Sequence, residues 1–241
     1  MDCLVNILKV NTNDNSIPKI DDIIVHVNKG YSGKNDLTLS SKTIDETMPN
    51  ITVPDSHTFN TEDNSFVLSE GDYDFFINRK QEIKSLYLGS AFVIDAFSMS
   101  DMNNLVAVQS KIKGDINYFE GSVSKLEKFI TYVGGNSTEL QGDSSVFSNC
   151  SKLVSVKIPN TNIYGDISNF GKSVNLDSLI VNNTKITGTV ESLVAKLVES
   201  GKTTGTIKEF SVSNTNVTYK GNAIQGTKIV TWDGVDNITI N

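Results

Sequence analysis

One phrase recurs three times in the second half of the chain, and it constrains the fold more than any other feature. LVSVKIPNTNIYGDI (Leu153–Ile167), LDSLIVNNTKITGTV (Leu176–Val190) and IKEFSVSNTNV (Ile207–Val217) share the pattern L-x-x-L-x-V-x-x-T-x-I. The same apolar positions and the same threonine return on each pass. A unit this short cannot bury its apolar face alone, so stacked neighbours must share one continuous core.

The period places the phrase in the leucine-rich-repeat class, in which each unit is a short strand followed by a return segment. Weaker copies extend it. Leu105–Phe119 matches after a short deletion, and Leu126–Phe147 after a short insertion. Ile83–Leu88 reads as an opening strand and Ile229–Trp232 as a closing one. Units starting at Ile83, Leu105, Leu126, Leu153, Leu176, Ile207 and Ile229 give about seven coils, spaced near the roughly 20–29 residues of this class, with one longer unit. Val190, Leu193, Val194, Leu197 and Val198 fall at helical spacing inside that longer unit. With Thr189 as cap and Gly201 as terminator, they predict one convex-side helix over 189–200. The other returns are rich in Asn, Asp, Ser and Gly and are expected to be turns. Helical and strand readings compete around Val123–Ile130, and the repeat register favours a strand starting near Lys128. The fold class is therefore mostly β, a solenoid preceded by a small module.

Residues 1–82 carry short β-rich stretches, Leu4–Val10, Ile23–Val27, Phe66–Ser69 and Tyr73–Asn78, between polar loops. Two readings stay open, a cap over the first coil and a cap that also docks the solenoid to a larger assembly. The segment Thr43–Asn64 reads as one long loop able to reach a neighbour.

FSNCSKLVSVKIPN (Phe147–Asn160) resembles the BspA-like leucine-rich repeat, in which an aromatic residue, a cysteine and a leucine precede a short strand ending in Ile-Pro; AFSMSDMNNLVAV (Ala96–Val108) is a looser version. The likeness covers about two thirds of the chain, from Ile83 to Asn241. The Ile-Pro occurs once, and the G-D-I and G-T-V continuations depart toward other bacterial and plant-like variants. The resemblance implies surface binding without fixing a ligand, and it implies that Cys150 points inward as a free thiol.

The chain of 241 residues has a formal charge of −7, and Arg79 is its only arginine. Phosphate binding needs a basic stripe, so no nucleic-acid partner is expected. MDCLVNILKV lacks a basic n-region and a long apolar run, so neither a secretory signal nor membrane insertion is expected. A surface-binding repeat without an export signal is reconciled by assembly into a phage particle. By repeat type, composition and missing signal the chain resembles accessory virion proteins of phages that infect gut Bacteroidales. The expected partners are capsid or tail proteins, or a host surface protein if the chain is instead a bacterial binding module at the cell surface or in the cytoplasm. Homo-oligomerisation stays open.

No G-x-S-x-G, H-E-x-x-H or C-x-x-C pair is present. His26 reads as a strand residue. Asp55, His57, Glu62 and Asp63 read as solvated loop charge, and Asp72, Asp74, Asp233 and Asp236 lack the order of a calcium loop. No enzyme activity, cofactor or metal is expected. Alternation in L-x-x-L-x-V puts one row of side chains on the concave face, Tyr87, Gln109, Ile130, Lys157, Ile180 and Ser211, continued by Asp233. This row is the candidate protein-binding surface. Asn160-Thr161, Asn183-Thr184 and Asn214-Thr215 sit where strands bend and read as structural bonds to the adjacent coil.

Overall fold

The computed structural model describes residues 83–88, 92–131 and 139–241, together with strand placements within 10–77. In the first region these strands are β1 (Val10–Asn11), β2 (Ile23–Val27), β3 (Gly33–Ser41), β4 (Ile51–Thr52), β5 (Thr58–Asn60), β6 (Ser65–Leu68) and β7 (Tyr73–Ile77). Then come β8 (Ile83–Leu88), β9 (Phe92–Asp95), β10 (Ala107–Gln109), β11 (Lys111–Asp115), β12 (Lys128–Ile130), β13 (Leu140–Asp143), β14 (Ser155–Lys157) and β15 (Asn162–Asp166). The last are β16 (Ser178–Ile180), β17 (Lys185–Thr189), β18 (Thr204–Ser211), β19 (Asn216–Tyr219), β20 (Asn222–Ala223), β21 (Thr227–Asp233) and β22 (Asn237–Ile240).

The protein is mostly β, with two parallel-dominated sheets and, among the described residues, one α-helix. Each pass of the chain adds one strand to each sheet. β8, β10, β12, β14, β16 and β18 form one parallel ladder, and β9, β11, β13, β15, β17 and β19 the other. Between them lies a continuous core. Leu86, Val108, Phe129, Val156, Leu179 and Phe210 are Cα partners along the first ladder and all 0% exposed. Ile94, Ile112, Leu140, Ile163 and Ile186 are equally buried in the second. Phe119, Phe129, Phe147 and Phe170 stack through this core with centroids 5.2, 5.4 and 5.3 Å apart. Cys150 is fully buried and free, its Sγ donating to the Val146 carbonyl at 3.8 Å.

The helix α1 (Val190–Glu199) falls where the 3.6-residue spacing puts it. Thr189 and Ser192 form a reciprocal capping box, and Gly201 follows at φ +104°. Lys128 opens β12, as the register requires.

Several expectations are corrected. The returns are not turns alone. Each of the first six passes carries a second strand, and the first four then enter a 3₁₀ segment. Asp95, Asp115, Asp143 and Asp166 begin those segments by accepting a hydrogen bond from the N–H two residues on. The glycine before three of these aspartates, and before Thr189, has a φ between +95° and +117° that other residues avoid. At Gly165 a Cβ would lie 2.4 Å from Ser144 Oγ and 2.7 Å from Asp143 Oδ1, so the motif packs backbone onto the preceding pass.

The expected seventh unit is not a further pass. Lys220 and Gly221, at φ +50° and +77°, turn the chain back on itself, and β20 pairs antiparallel with β19. β21 likewise runs antiparallel to β18, so Asp233 faces Thr204 and does not continue the outward row. At the other end β3 pairs antiparallel with β8, and β2 with β9. Within the first region Ile23–Val27 matches β2, while Ser65–Leu68 and Tyr73–Ile77 shift the expected boundaries by a residue. β4 and β5 interrupt the segment expected to be one loop, and the nine-residue β3 was not anticipated. Asp55, His57, Glu62, Asp63 and Asp72 lie outside the described residues, whereas Asp74 stands in β7 and Asp236 in the turn before β22.

Candidate interaction face

The outward row is a true ladder. Tyr87, Gln109, Ile130, Lys157, Ile180 and Ser211 are successive Cα partners from β8 to β18. Beside it runs a second row, Ser85, Ala107, Lys128, Ser155, Ser178 and Glu209. At about 4.8 Å between strands, either row spans about 24 Å. Five members of the first row are half-buried, and Ser211 is buried.

The two rows are joined across three passes. Lys157 Nζ and Glu209 Oε2 form an ion pair at 2.7 Å, and Ser178 Oγ donates to the same carboxylate oxygen at 2.9 Å. The hydrogen bond from Lys157, then that from Ser178, holds the Glu209 carboxyl below its ordinary value. Lys157 is therefore already neutralised, which makes this part of the face polar without net charge.

Next to the ion pair lies an open hollow of about 400 Å³. Lys157, Ile180 and Ser211 line it, so three of the six expected residues meet at one place. Pro159, Asn160, Asn182, Ser213 and Thr227 complete the lining. Tyr87, Gln109 and Ile130 continue the row beyond the hollow. The additional lining residues come from the bends after β14, β16 and β18 and from antiparallel β21, positions that strand alternation does not mark.

Those bends are built by the Asn-Thr pairs, with a correction to their partners. Thr161, Thr184 and Thr215 donate through Oγ1 to carbonyls of their own bend, Ile158, Val181 and Val212, at 3.0, 2.7 and 2.6 Å. The asparagines reach the adjacent pass. Asn160, Asn183 and Asn214 all sit at φ 56°, and their carboxamides form a chain at 2.7 Å per step.

The face offers hydrogen-bonding groups and two isoleucines. Burial pushes the Cys150 thiol up to about 12, far from a reactive thiolate. Among the described residues no group of three or more His, Cys, Asp and Glu side chains is placed to hold a metal ion, and no helix is long and apolar enough to cross a membrane. No protein-family model and no curated protein matches the chain.

Proposed function

We propose that the chain is a leucine-rich-repeat solenoid without catalytic activity, a structural and interaction protein that receives a partner protein on the outward face of the first ladder. The observation that carries this reading is the unbroken register of Tyr87, Gln109, Ile130, Lys157, Ile180 and Ser211 over six parallel strands. A row of mostly neutral side chains beside a second row of mostly small ones, with half-buried Ile130 and Ile180 and a self-neutralised ion pair, favours contact with protein over contact with a polyanion. The antiparallel strands at both ends of the parallel ladders support terminal capping, which a repeat array needs for solubility.

The chain is an accessory component of a phage particle, held to capsid or tail protein through this outward face, with residues 1–82 as the alternative docking element; repeat type and acidic composition support this reading. Quantitative mass spectrometry of purified particles tests it. A fixed copy number relative to capsid or tail proteins is expected. A chain absent from intact particles that instead binds host protein or mucin would be a bacterial binding module.

A further inference from the structure

The residue that bonds to each 3₁₀-capping aspartate is Phe97, Asn117, Ser145 or Ser168, in successive passes. This position works with a small polar side chain in three passes, so the turn does not require the phenyl ring that is 58% exposed at Phe97. The next position is Ser98, Tyr118, Val146 or Asn169, and Tyr118 is 45% exposed. Core packing does not require these rings either, because the aromatic residue that each of three passes buries is Phe119, Phe147 or Phe170. Phe97 and Tyr118 meet at 5.1 Å and 89°, forming a right-angled aromatic corner on the protein surface.

The surroundings select its partner. Asp101 and Glu120 are exposed in the same two turns, and Asp101 Oδ1 lies 3.4 Å from where a Cβ on Gly121 would stand. Asp95 and Asp115 cap the two turns. Against these four carboxylates, Lys113 stands opposite Asp95 in the ladder, and the Lys125 ammonium bonds to Asn104 at 2.8 Å. Aromatic faces carry negative potential, and the local excess of carboxylate adds to it. We infer that the Phe97–Tyr118 corner binds a lysine or arginine side chain presented by a partner protein. The corner lies on the 3₁₀ side of the passes, so this inference does not rest on the outward face of the first ladder.

Titration of the full chain with an acetylated, amidated Gly-Arg-Gly peptide, followed through the ring protons of Phe97 and Tyr118 by NMR, tests it. The Gly-Glu-Gly peptide and maltotriose serve as acidic and neutral probes. The ring resonances shift with the arginine peptide and not with the other two. The double variant F97S/Y118S, which installs residue types found at these positions in other passes and leaves the charge unchanged, binds the arginine peptide about tenfold more weakly, the scale of one to two cation–π contacts. Rings that stay unmoved, equal affinity in the variant, or a stronger response to maltotriose each overturn the inference.

Discussion

The carboxamide of Asn183 donates through Nδ2 to Oδ1 of Asn160 at 2.7 Å, one pass of the chain away, while both residues hold the left-handed φ of 56°. Asn214 repeats the relation with Asn183. One side chain thus tolerates the backbone of the bend and ties neighbouring passes together. Asn183→Ala removes both links and places a Cβ-bearing residue without local compensation in that region. The expected loss is about 2 kcal/mol, from about 1 kcal/mol of strain and modest hydrogen bonds. Asn183→Gly relieves the strain and loses roughly half as much. Chemical denaturation of the two variants checks the order; an alanine variant as stable as the parent contradicts it.

Thr184 closes the same bend from inside, donating to the Val181 carbonyl at 2.7 Å while 7% exposed. Thr184→Val keeps the shape and leaves that carbonyl without its hydroxyl partner, an expected loss of about 1–3 kcal/mol. Partner binding is unchanged. Thermal unfolding alongside a binding assay separates the two effects.

Gly165 and Gly201 have similar φ values, +112° and +104°, yet differ in their surroundings. A Cβ at Gly165 meets Ser144 Oγ at 2.4 Å, whereas nothing lies within 4 Å of one at Gly201. Gly201→Ala therefore bears backbone strain alone, about 1–3 kcal/mol. Gly165→Ala adds a clash with the preceding pass and melts at a distinctly lower temperature. Equal melting temperatures would show that the glycine-aspartate motif does not pack passes together.

The inward rows were legible in the sequence because a strand alternates strictly and each leucine and valine returns on schedule. Helix α1 was legible from its five apolar positions and its two punctuating residues. The second ladder was hidden. Four of its six strands, Lys111–Asp115, Leu140–Asp143, Asn162–Asp166 and Lys185–Thr189, are short and largely polar and contain a glycine, the composition of a turn, and what makes them strands is pairing with the neighbouring pass. The last unit was misread because IVTW alternates identically in parallel and antiparallel strands, and periodicity carries no direction. In β3 the opening Gly-Lys-Asn-Asp reads as turn chemistry. The outward row was legible residue by residue, but the hollow beside it was not, since Asn160, Asn182 and Ser213 enter it from bends.

The Glu209 carboxyl titrates below its ordinary value because Lys157 and Ser178 bond to its ionised form. A depressed folded value stabilises the protein above the unfolded value, and that contribution is lost as pH falls through the folded one. Glu209→Gln should thus melt slightly lower than the parent at neutral pH, within the 0–1 kcal/mol of about one exposed pair. The difference closes below about pH 4.5, the ordinary value for this carboxyl. Parallel melts from neutral to acidic pH check the sign; a gap that widens on acidification contradicts it.

Ile130 and Ile180 stand two strands apart on the outward row, half-buried, with Lys157 between them. The double variant I130D/I180D places two charges on that face and leaves residues 1–82 untouched. Its copy number in purified particles, compared with the parent chain and with folding confirmed by thermal melting, is the most direct measurement of whether the face receives a partner. At least about a tenfold loss of incorporation is expected, since an uncompensated charge at a docked surface costs several kcal/mol. Incorporation at the parent's stoichiometry would contradict docking through this face.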